Sequence, residues 1–127
     1  MPDAAIVCEV QAMMRDYVDA FVSGTRDDLR AFVRLPVAYI TDDEVQLREH
    51  YPFDPVKLRA ATGVTRTDVK VEVIHANATK AHVTIEGVRR REDESVVEGI
   101  EAVYILRKTE STWKITALSG IRAPVQP

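Results

Sequence analysis

Three side chains in this sequence have a type and a setting that could support chemistry on a small molecule. Tyr17 is one of a series of mostly apolar residues at helical spacing. It should therefore lie on the buried stripe of a helix, where its hydroxyl needs a partner. Glu98 interrupts an otherwise apolar strand, where a buried carboxylate could act as a general acid or base. His50 opens a loop with two aromatic residues, and such loops often line openings. These three are the candidate catalytic residues.

Each candidate also has a purely structural interpretation. Tyr17 could be a core tyrosine whose hydroxyl bonds to a strand carbonyl. Glu98 could be a carboxylate in solvent near a strand end, and His50 could be an ordinary surface side chain. The residue types and spacing leave both interpretations open.

No arrangement in the sequence is typical of a metal site, a phosphate loop or a covalent nucleophile. The three histidines, His50, His75 and His82, are scattered over a loop and two predicted strands without metal-ligand spacing. We therefore expect no metal and no cofactor.

A long amphipathic helix is predicted to carry Tyr17. It should run from near Asp3 to Ser23, about five turns, with Gly24 as a left-handed C-cap. Thr25 and Asp28 then have the spacing of a capping box for a second, short helix. The apolar stripe of the long helix consists of Ile6, Val10, Met13, Tyr17 and Phe21.

The middle of the chain predicts two short strands and a third helix. Pro36 should end the second helix and start a strand from Val37 to Thr41, and the chain can return from Val45 to Arg48. Asp54 followed by proline is a strong helix start, and Gly63 is a suitable end.

The C-terminal half alternates in twos and predicts four long strands. The first two run through Thr67 to His75 and Ala81 to Gly87. The charged run from Arg89 to Glu94 is interpreted as a solvated hairpin tip rather than a phosphate site. Val96 to Ile121 predicts two further strands joined by a tight turn. Because both faces of the first of these are largely apolar, we expect a homodimer that covers the open sheet face.

Composition narrows the class of protein. The chain has 127 residues and predicts a single domain, residues 1–127; 46% of the residues are hydrophobic and 29% charged, as in a globular protein. The net charge of -3 gives no electrostatic reason to bind nucleic acid or a membrane surface. There is no apolar run of ~20 residues, no secretory signal and only one cysteine, so we expect a cytoplasmic protein.

Helices followed by an antiparallel meander predict an α+β fold. At this level the chain resembles the superfamily of nuclear transport factor 2, ketosteroid isomerase and the SnoaL-like cyclases. The resemblance implies a cone: a long N-terminal helix and two short helices packed on a strongly curved antiparallel sheet. The segments that carry the resemblance are Tyr17–Phe21 with Ser23-Gly24, Leu29–Phe32, Val37–Ile40, Ala102–Arg107 and Trp113–Ile115.

The resemblance also implies a pocket inside the cone that holds a small apolar organic molecule. Ketosteroid isomerase uses a tyrosine, an aspartate base and a protonated aspartate, and these roles fall on Tyr17, Ile40 and Ala102 here. Since Ile40 cannot accept a proton, that isomerisation is not expected. Two alternatives remain, another acid/base enzyme and a dimeric interaction module with a filled pocket. The ligand-binding residues implied are Tyr17, Phe21, Tyr39, Ile40, Ala102 and Tyr104.

Overall fold

A computed structural model describes residues 3–121 of the chain. It has an α+β architecture in which three α-helices and a short 3₁₀ turn pack against one six-stranded curved sheet. The spatial order of the strands is β2-β1-β6-β5-β4-β3. The elements are α1 (Ala4–Ser23), α2 (Arg26–Leu29), a 3₁₀ turn (Arg30–Phe32), β1 (Val33–Ile40), β2 (Val45–Arg48), α3 (Pro55–Thr62), β3 (Val64–Ala76), β4 (Lys80–Arg91), β5 (Val96–Thr109) and β6 (Thr112–Ile121).

Helix α1 confirms the long amphipathic helix expected from the sequence. The Asp3 side chain caps it by accepting hydrogen bonds from the amides of Ala5 and Ile6. Arg15 reaches from the helix to the carbonyl of Val69 on the edge strand β3 (3.0 Å), which ties the helix to the sheet. The buried stripe of the helix consists of Val10, Met14, Tyr17, Val18 and Phe21.

The left-handed C-cap predicted at Gly24 is wrong. Gly24 has φ −103° and ψ −161°, an extended conformation open to most residues. Glycine is required there by space instead, because a Cβ atom would lie 2.6 Å from the carbonyl oxygen of Ala20 and 2.8 Å from the carboxylate of Asp28. The crowding arises because the capping box of Thr25 and Asp28 follows at once, as predicted.

The second helix is shorter than its apolar pattern suggests. It makes one α-turn and one 3₁₀ turn, and β1 already begins at Val33, four residues before the predicted start at Val37. Pro36 lies inside this strand after a cis peptide bond. The third helix matches the prediction: Asp54 caps α3, and Gly63 ends it in the left-handed conformation (φ 74°).

The hairpin of β5 and β6 forms the centre of the sheet, as the alternation between Val96 and Ile121 predicts. Its tight turn places Glu110 and Ser111 at positive φ (52° and 65°). The sheet is mixed, because β1 pairs with β6 in parallel while the other neighbours are antiparallel. This parallel pairing joins residues about 80 positions apart, such as Ile40 and Ser119, so local patterns could not indicate it.

The two faces of the sheet have different surroundings. The inner face packs against α1 and contributes Val83, Ile85, Tyr104 and Leu106 to the core. On the outer face Val45, Leu47 and Ile121 keep 73%, 72% and 65% of their surface exposed. Within residues 3–121 no helix has both the length and the apolar character to cross a membrane. The cytoplasmic location stays a prediction.

The carboxylate of Glu9 joins α1 to the turn end of the hairpin formed by β5 and β6. Glu9 accepts hydrogen bonds from the Lys108 ammonium (3.0 Å) and from the Trp113 indole (2.9 Å). The bond to Lys108 is the largest of the effects that hold the pKa of Glu9 below its ordinary value. A carboxyl group with a lowered folded-state pKa stabilises the fold above its unfolded-state pKa, and loses that contribution as the pH falls through the folded-state value.

We expect Glu9→Gln to lower the free energy of unfolding at neutral pH, with the difference from the wild type vanishing in acid. Urea unfolding followed by fluorescence of Trp113, the only tryptophan, measures this at each pH. Asp16→Asn on the same helix is the control, since Asp16 is exposed and makes no ion pair within residues 3–121. Equal pH profiles for Glu9→Gln and wild type would contradict the assignment.

Candidate functional site

A cavity of about 610 Å³ lies between α1, the loop before α3, and the inner face of β5 and β6. Its size is within the range of sites that hold small organic molecules. Phe21 and Tyr39 each pack edge-to-face on Phe53 and form one aromatic wall. The lining residues are Tyr17, Phe21, Arg26, Tyr39, Pro52, Phe53, Asp54, Lys57, Leu58, Arg89, Glu98, Gly99, Ile100, Glu101, Ala102, Tyr104, Leu118, Gly120 and Ile121.

Tyrosine hydroxyls gather at the inner end of this cavity. The hydroxyls of Tyr17 and Tyr51 share a hydrogen bond, and Tyr51 is only 1% exposed. The ring of Tyr17 also packs edge-to-face on Tyr104, with ring centroids 5.6 Å apart. The buried hydroxyl of Tyr17 therefore bonds to a second side chain rather than to a strand carbonyl.

These tyrosines are held in the neutral form. Burial raises the pKa of Tyr17 and of Tyr51 well above the ordinary value, and for Tyr17 the neighbouring Tyr104 and Tyr51 raise it further. Burial also raises the pKa of Tyr104, although the hydrogen bond to Tyr17 and the charge of Arg89 oppose it. Neutral phenols donate hydrogen bonds, so this end of the cavity can bind an acceptor atom of a ligand.

An ion pair between neighbouring strands lies beside the tyrosines. Arg89 on β4 is directly opposite Glu98 on β5, and their side chains form an ion pair while 17% and 16% exposed. The guanidinium of Arg89 lies over the ring of Phe21, 4.6 Å from its centroid. The charged pair is thus part of the cavity wall, with an aromatic face behind the cation.

The structure brings most of the candidate residues to one cavity. Tyr17 and Glu98 both line it. So do Phe21, Tyr39, Ala102 and Tyr104 among the residues expected to bind a ligand. Whether a ligand contacts them stays a prediction.

Ile40 and His50 are not among the residues that line the cavity. Side chains alternate along a strand, so Tyr39 on the cavity face leaves Ile40 on the outer face, where it is 39% exposed. His50 is exposed, whereas the next residue, Tyr51, turns inward to meet Tyr17. The roles predicted for Ile40 and His50 therefore have no support from the lining of this cavity.

Two polar residues of the site were missed from the sequence. Arg89 was assigned to a solvated hairpin tip, but β4 continues to Arg91, and Arg89 shares the inward face of Val83 and Ile85. Had the predicted strand been extended by two residues beyond Gly87, the alternation of side chains would have placed Arg89 on the inward face. Tyr51 gave no periodic signal because it lies in a loop, where burial depends on the tertiary fold.

No group of three histidine, cysteine, aspartate or glutamate side chains within residues 3–121 is arranged to hold a metal ion. The polar lining of the cavity supplies hydrogen-bond donors, one ion pair and carboxylates. The chemistry that it can support directly is therefore recognition of oxygen-bearing molecules and, at Glu98, proton acceptance.

Residues 53–122, more than half of the chain, match the family model described as "NTF2-like protein (DUF6841)". The chain belongs to this NTF2-like family. The matched segment covers α3 and the four long strands, and so includes Phe53, Arg89 and Glu98. None of the curated proteins matches the sequence.

Solved structures similar to this NTF2-like chain share the cone fold at low identity. An NTF2-like protein of unknown function from Methylobacillus flagellatus is 14% identical (TM-score 0.68, covering 96% of this chain and 95% of that one). A ketosteroid isomerase-like protein from Erwinia carotovora atroseptica is 16% identical (TM-score 0.62, covering 96% of this chain and 100% of that one). A putative scytalone dehydratase from Novosphingobium aromaticivorans is 13% identical (TM-score 0.66, covering 94% of this chain and 85% of that one). Such identities show the fold alone.

The hydrogen bond between Tyr17 and Tyr51 predicts coupled mutational effects. Tyr17→Phe should cost about 1–3 kcal/mol of stability, because it leaves the buried Tyr51 hydroxyl without its partner. Tyr51→Phe added to Tyr17→Phe should then cost less than Tyr51→Phe alone, with a coupling energy of at least about 0.5 kcal/mol. Urea unfolding of the four proteins measures the cycle.

Tyr39→Phe provides the matched control for this cycle. Tyr39 lies in the same aromatic wall, but within residues 3–121 its hydroxyl makes no hydrogen bond. It should change stability little and should not couple to Tyr17→Phe. Strictly additive effects of Tyr17→Phe and Tyr51→Phe would contradict the bond.

Proposed function

We propose that this protein binds a small, mainly apolar organic molecule inside the cone. The observation that carries the proposal is the cavity of about 610 Å³, whose walls are mainly aromatic and aliphatic and also include Arg89, Glu98 and two tyrosines with buried hydroxyls. Apolar walls supply affinity through the burial of ligand surface, and a few polar groups orient the ligand. The neutral tyrosine hydroxyls would donate to an oxygen of the ligand.

Acid/base catalysis on the bound molecule is the second candidate, but its residues are less suitable. Glu98 is the one carboxylate beside the tyrosines among the lining residues, and its charge is shared with Arg89. The Glu98 oxygen that accepts from the Arg89 guanidinium is already occupied, so it is less available to a substrate proton. The tyrosines hold their protons firmly, so they suit hydrogen bonding better than proton donation. Binding is therefore the function that we put forward.

An interaction module with a filled pocket is the third candidate, and it needs side chains that plug the cone. Side chains do not fill the cavity here. A module that binds other proteins and has no pocket therefore has less support. An interaction between two copies of the chain does not depend on a filled pocket and is treated separately below.

Binding in the cavity predicts that filling it will abolish binding. A panel of apolar molecules, with hydrocarbon, alcohol, ketone and acid members, should contain compounds that raise the melting temperature of the wild type. Ala102→Phe places a ring in the cavity and should remove those shifts. Ala12→Phe, an exposed position on α1, is the matched control and should leave them unchanged. A panel with no shift on the wild type, or equal shifts with Ala102→Phe, would contradict the proposal.

We also propose that two copies of the chain pair through the outer face of the sheet. Hydrogen-bonded register places Val45, Ile40, Ser119 and Val103 side by side on four adjacent strands of that face. The next row across the same strands is Leu47, Ala38, Ala117 and Ile105.

This apolar patch suits an isologous pair, because a two-fold axis brings the same patch from each copy together. Towards β3 the face carries charges of both signs, with Lys70 opposite Glu86, and Arg107 beside Lys80. A two-fold arrangement can place unlike charges from the two copies opposite each other at the rim. A second copy therefore fits this face better than a strongly acidic or basic partner.

Light scattering coupled to size exclusion tests the pairing. The wild type should have the mass of a dimer, and Leu47→Glu with Val103→Glu should give a folded monomer, because charges on an apolar interface must be desolvated. Val56→Glu is the control, since Val56 is exposed on α3 and away from this face. A monomeric wild type, or a double variant that stays dimeric, would contradict the pairing.

A further inference from the structure

The polar end of the cavity offers more hydrogen-bond donors than acceptors. A guanidinium carries five N–H groups. In Arg89 one of the terminal nitrogens donates to Glu98 in the ion pair. Its Nε atom is buried and has no hydrogen-bond partner within residues 3–121. A buried donor without an acceptor is unfavourable, and native proteins satisfy nearly all of them.

Arg89 and two of the tyrosines line the same space, so the guanidinium is close to the aromatic end of the cavity. Arg89, Tyr17 and Tyr104 surround a second, small cavity of about 20 Å³ that shares lining residues with the main one. The positive charge of Arg89 also opposes the rise in the pKa of Tyr51 and of Tyr104. One acceptor group could therefore meet an arginine and a tyrosine together.

Two cations without an ion-pair partner in the described part of the chain lie at the mouth of the cavity and would attract an anionic ligand. Arg26 and Lys57 lie at the mouth, and neither makes an ion pair within residues 3–121. Asp54 is the acid beside them, and one of its oxygens already accepts from two amides of α3. Glu101 alternates to the outer face of β5 with Val103. Counting Glu101, the lining has three basic and three acidic residues, so the preference for an anion rests on Arg89 and on the two cations at the mouth rather than on net charge.

We propose that the ligand is an apolar monocarboxylic acid whose carboxylate accepts hydrogen bonds from the Arg89 guanidinium and a neighbouring tyrosine. This inference rests on the proposed binding function and names the chemical class of the ligand. Glu98 holds the guanidinium from one side and the Phe21 ring supports its face, so the planar fork is oriented before the ligand arrives. A planar fork matches the two oxygens of a carboxylate.

A comparison of matched ligands on the wild-type protein tests the class. The probes are naphthoic, phenylbutanoic and decanoic acids, each with its methyl ester and its primary amide, and affinities are measured by calorimetry at neutral pH. For the skeleton that binds best, the acid should bind at least about tenfold more tightly than the ester and the amide, as a charge-assisted hydrogen bond implies.

The outcomes separate this inference from the function on which it rests. If ester and amide bind as tightly as the acid, the cavity binds apolar molecules but the carboxylate is not recognised, and the inference is wrong. If no probe of any skeleton binds and the apolar panel gives no thermal shift, the binding function itself fails. If the panel binds but no acid does, the inference alone is overturned.

Two variants test the residue that recognises the carboxylate. Arg89→Gln together with Glu98→Gln removes both charges and so avoids leaving one of them buried alone. This double variant should lose the preference for acid over ester while it still binds the ester. Glu98→Gln alone should tighten binding of the acid, since it removes a like charge next to the ligand.

The mouth of the cavity supplies the contrasting variant. Arg26→Gln with Lys57→Gln should weaken acid binding by less than about fivefold, in a salt-dependent way, because these cations are exposed. If this pair abolishes the acid preference and the Arg89 and Glu98 pair retains it, the carboxylate binds at the mouth and the assignment to Arg89 is wrong.

Discussion

A tyrosine hydroxyl buried under the long helix must find a hydrogen-bond partner, and much of the site follows from how it does so. Tyr17 lies on the apolar stripe of α1, where it is only 2% exposed, and Tyr51 supplies a partner for its hydroxyl from the loop before α3. That bond fixes the loop against the helix. Two residues later Phe53 packs on Phe21 and Tyr39 and so forms the aromatic wall. One polar requirement in the core therefore shapes an apolar wall of the cavity.

The ion pair of Arg89 and Glu98 is better explained by function than by stability. Moving two charges to a site where they are about 16% exposed has a desolvation cost that their attraction only partly offsets. A pair of aliphatic side chains at these facing positions would fill the same space without that cost. Among the described residues, 3–121, the pair also leaves a buried guanidinium nitrogen without an acceptor. Stability alone gives little reason for such an arrangement, whereas the proposed binding of a ligand would supply one.

The sequence predicted what local patterns determine and failed where distant segments decide. The stripe of α1, the caps at Thr25 and Asp54 and the alternation of β5 depend on neighbouring residues, and these predictions are confirmed. The parallel pairing of β1 with β6 and the burial of Tyr51 depend on contacts far along the chain. Arg89 is an intermediate case, because the charged run around it concealed an alternation that was present in the sequence.

Strand β5 connects the cavity to the outer face of the sheet. Ala102 and Tyr104 face the cavity, while Val103 and Ile105 between and beyond them face outward. Since the side-chain period of a strand is two, a slip of one residue would move Glu98 away from Arg89 and bring Val103 into the cavity. The outward apolar residues, when a second copy covers them, favour the correct register of the strand that carries the site. The proposed association on one face and the proposed recognition on the other would therefore depend on the same alignment of β5 between β4 and β6.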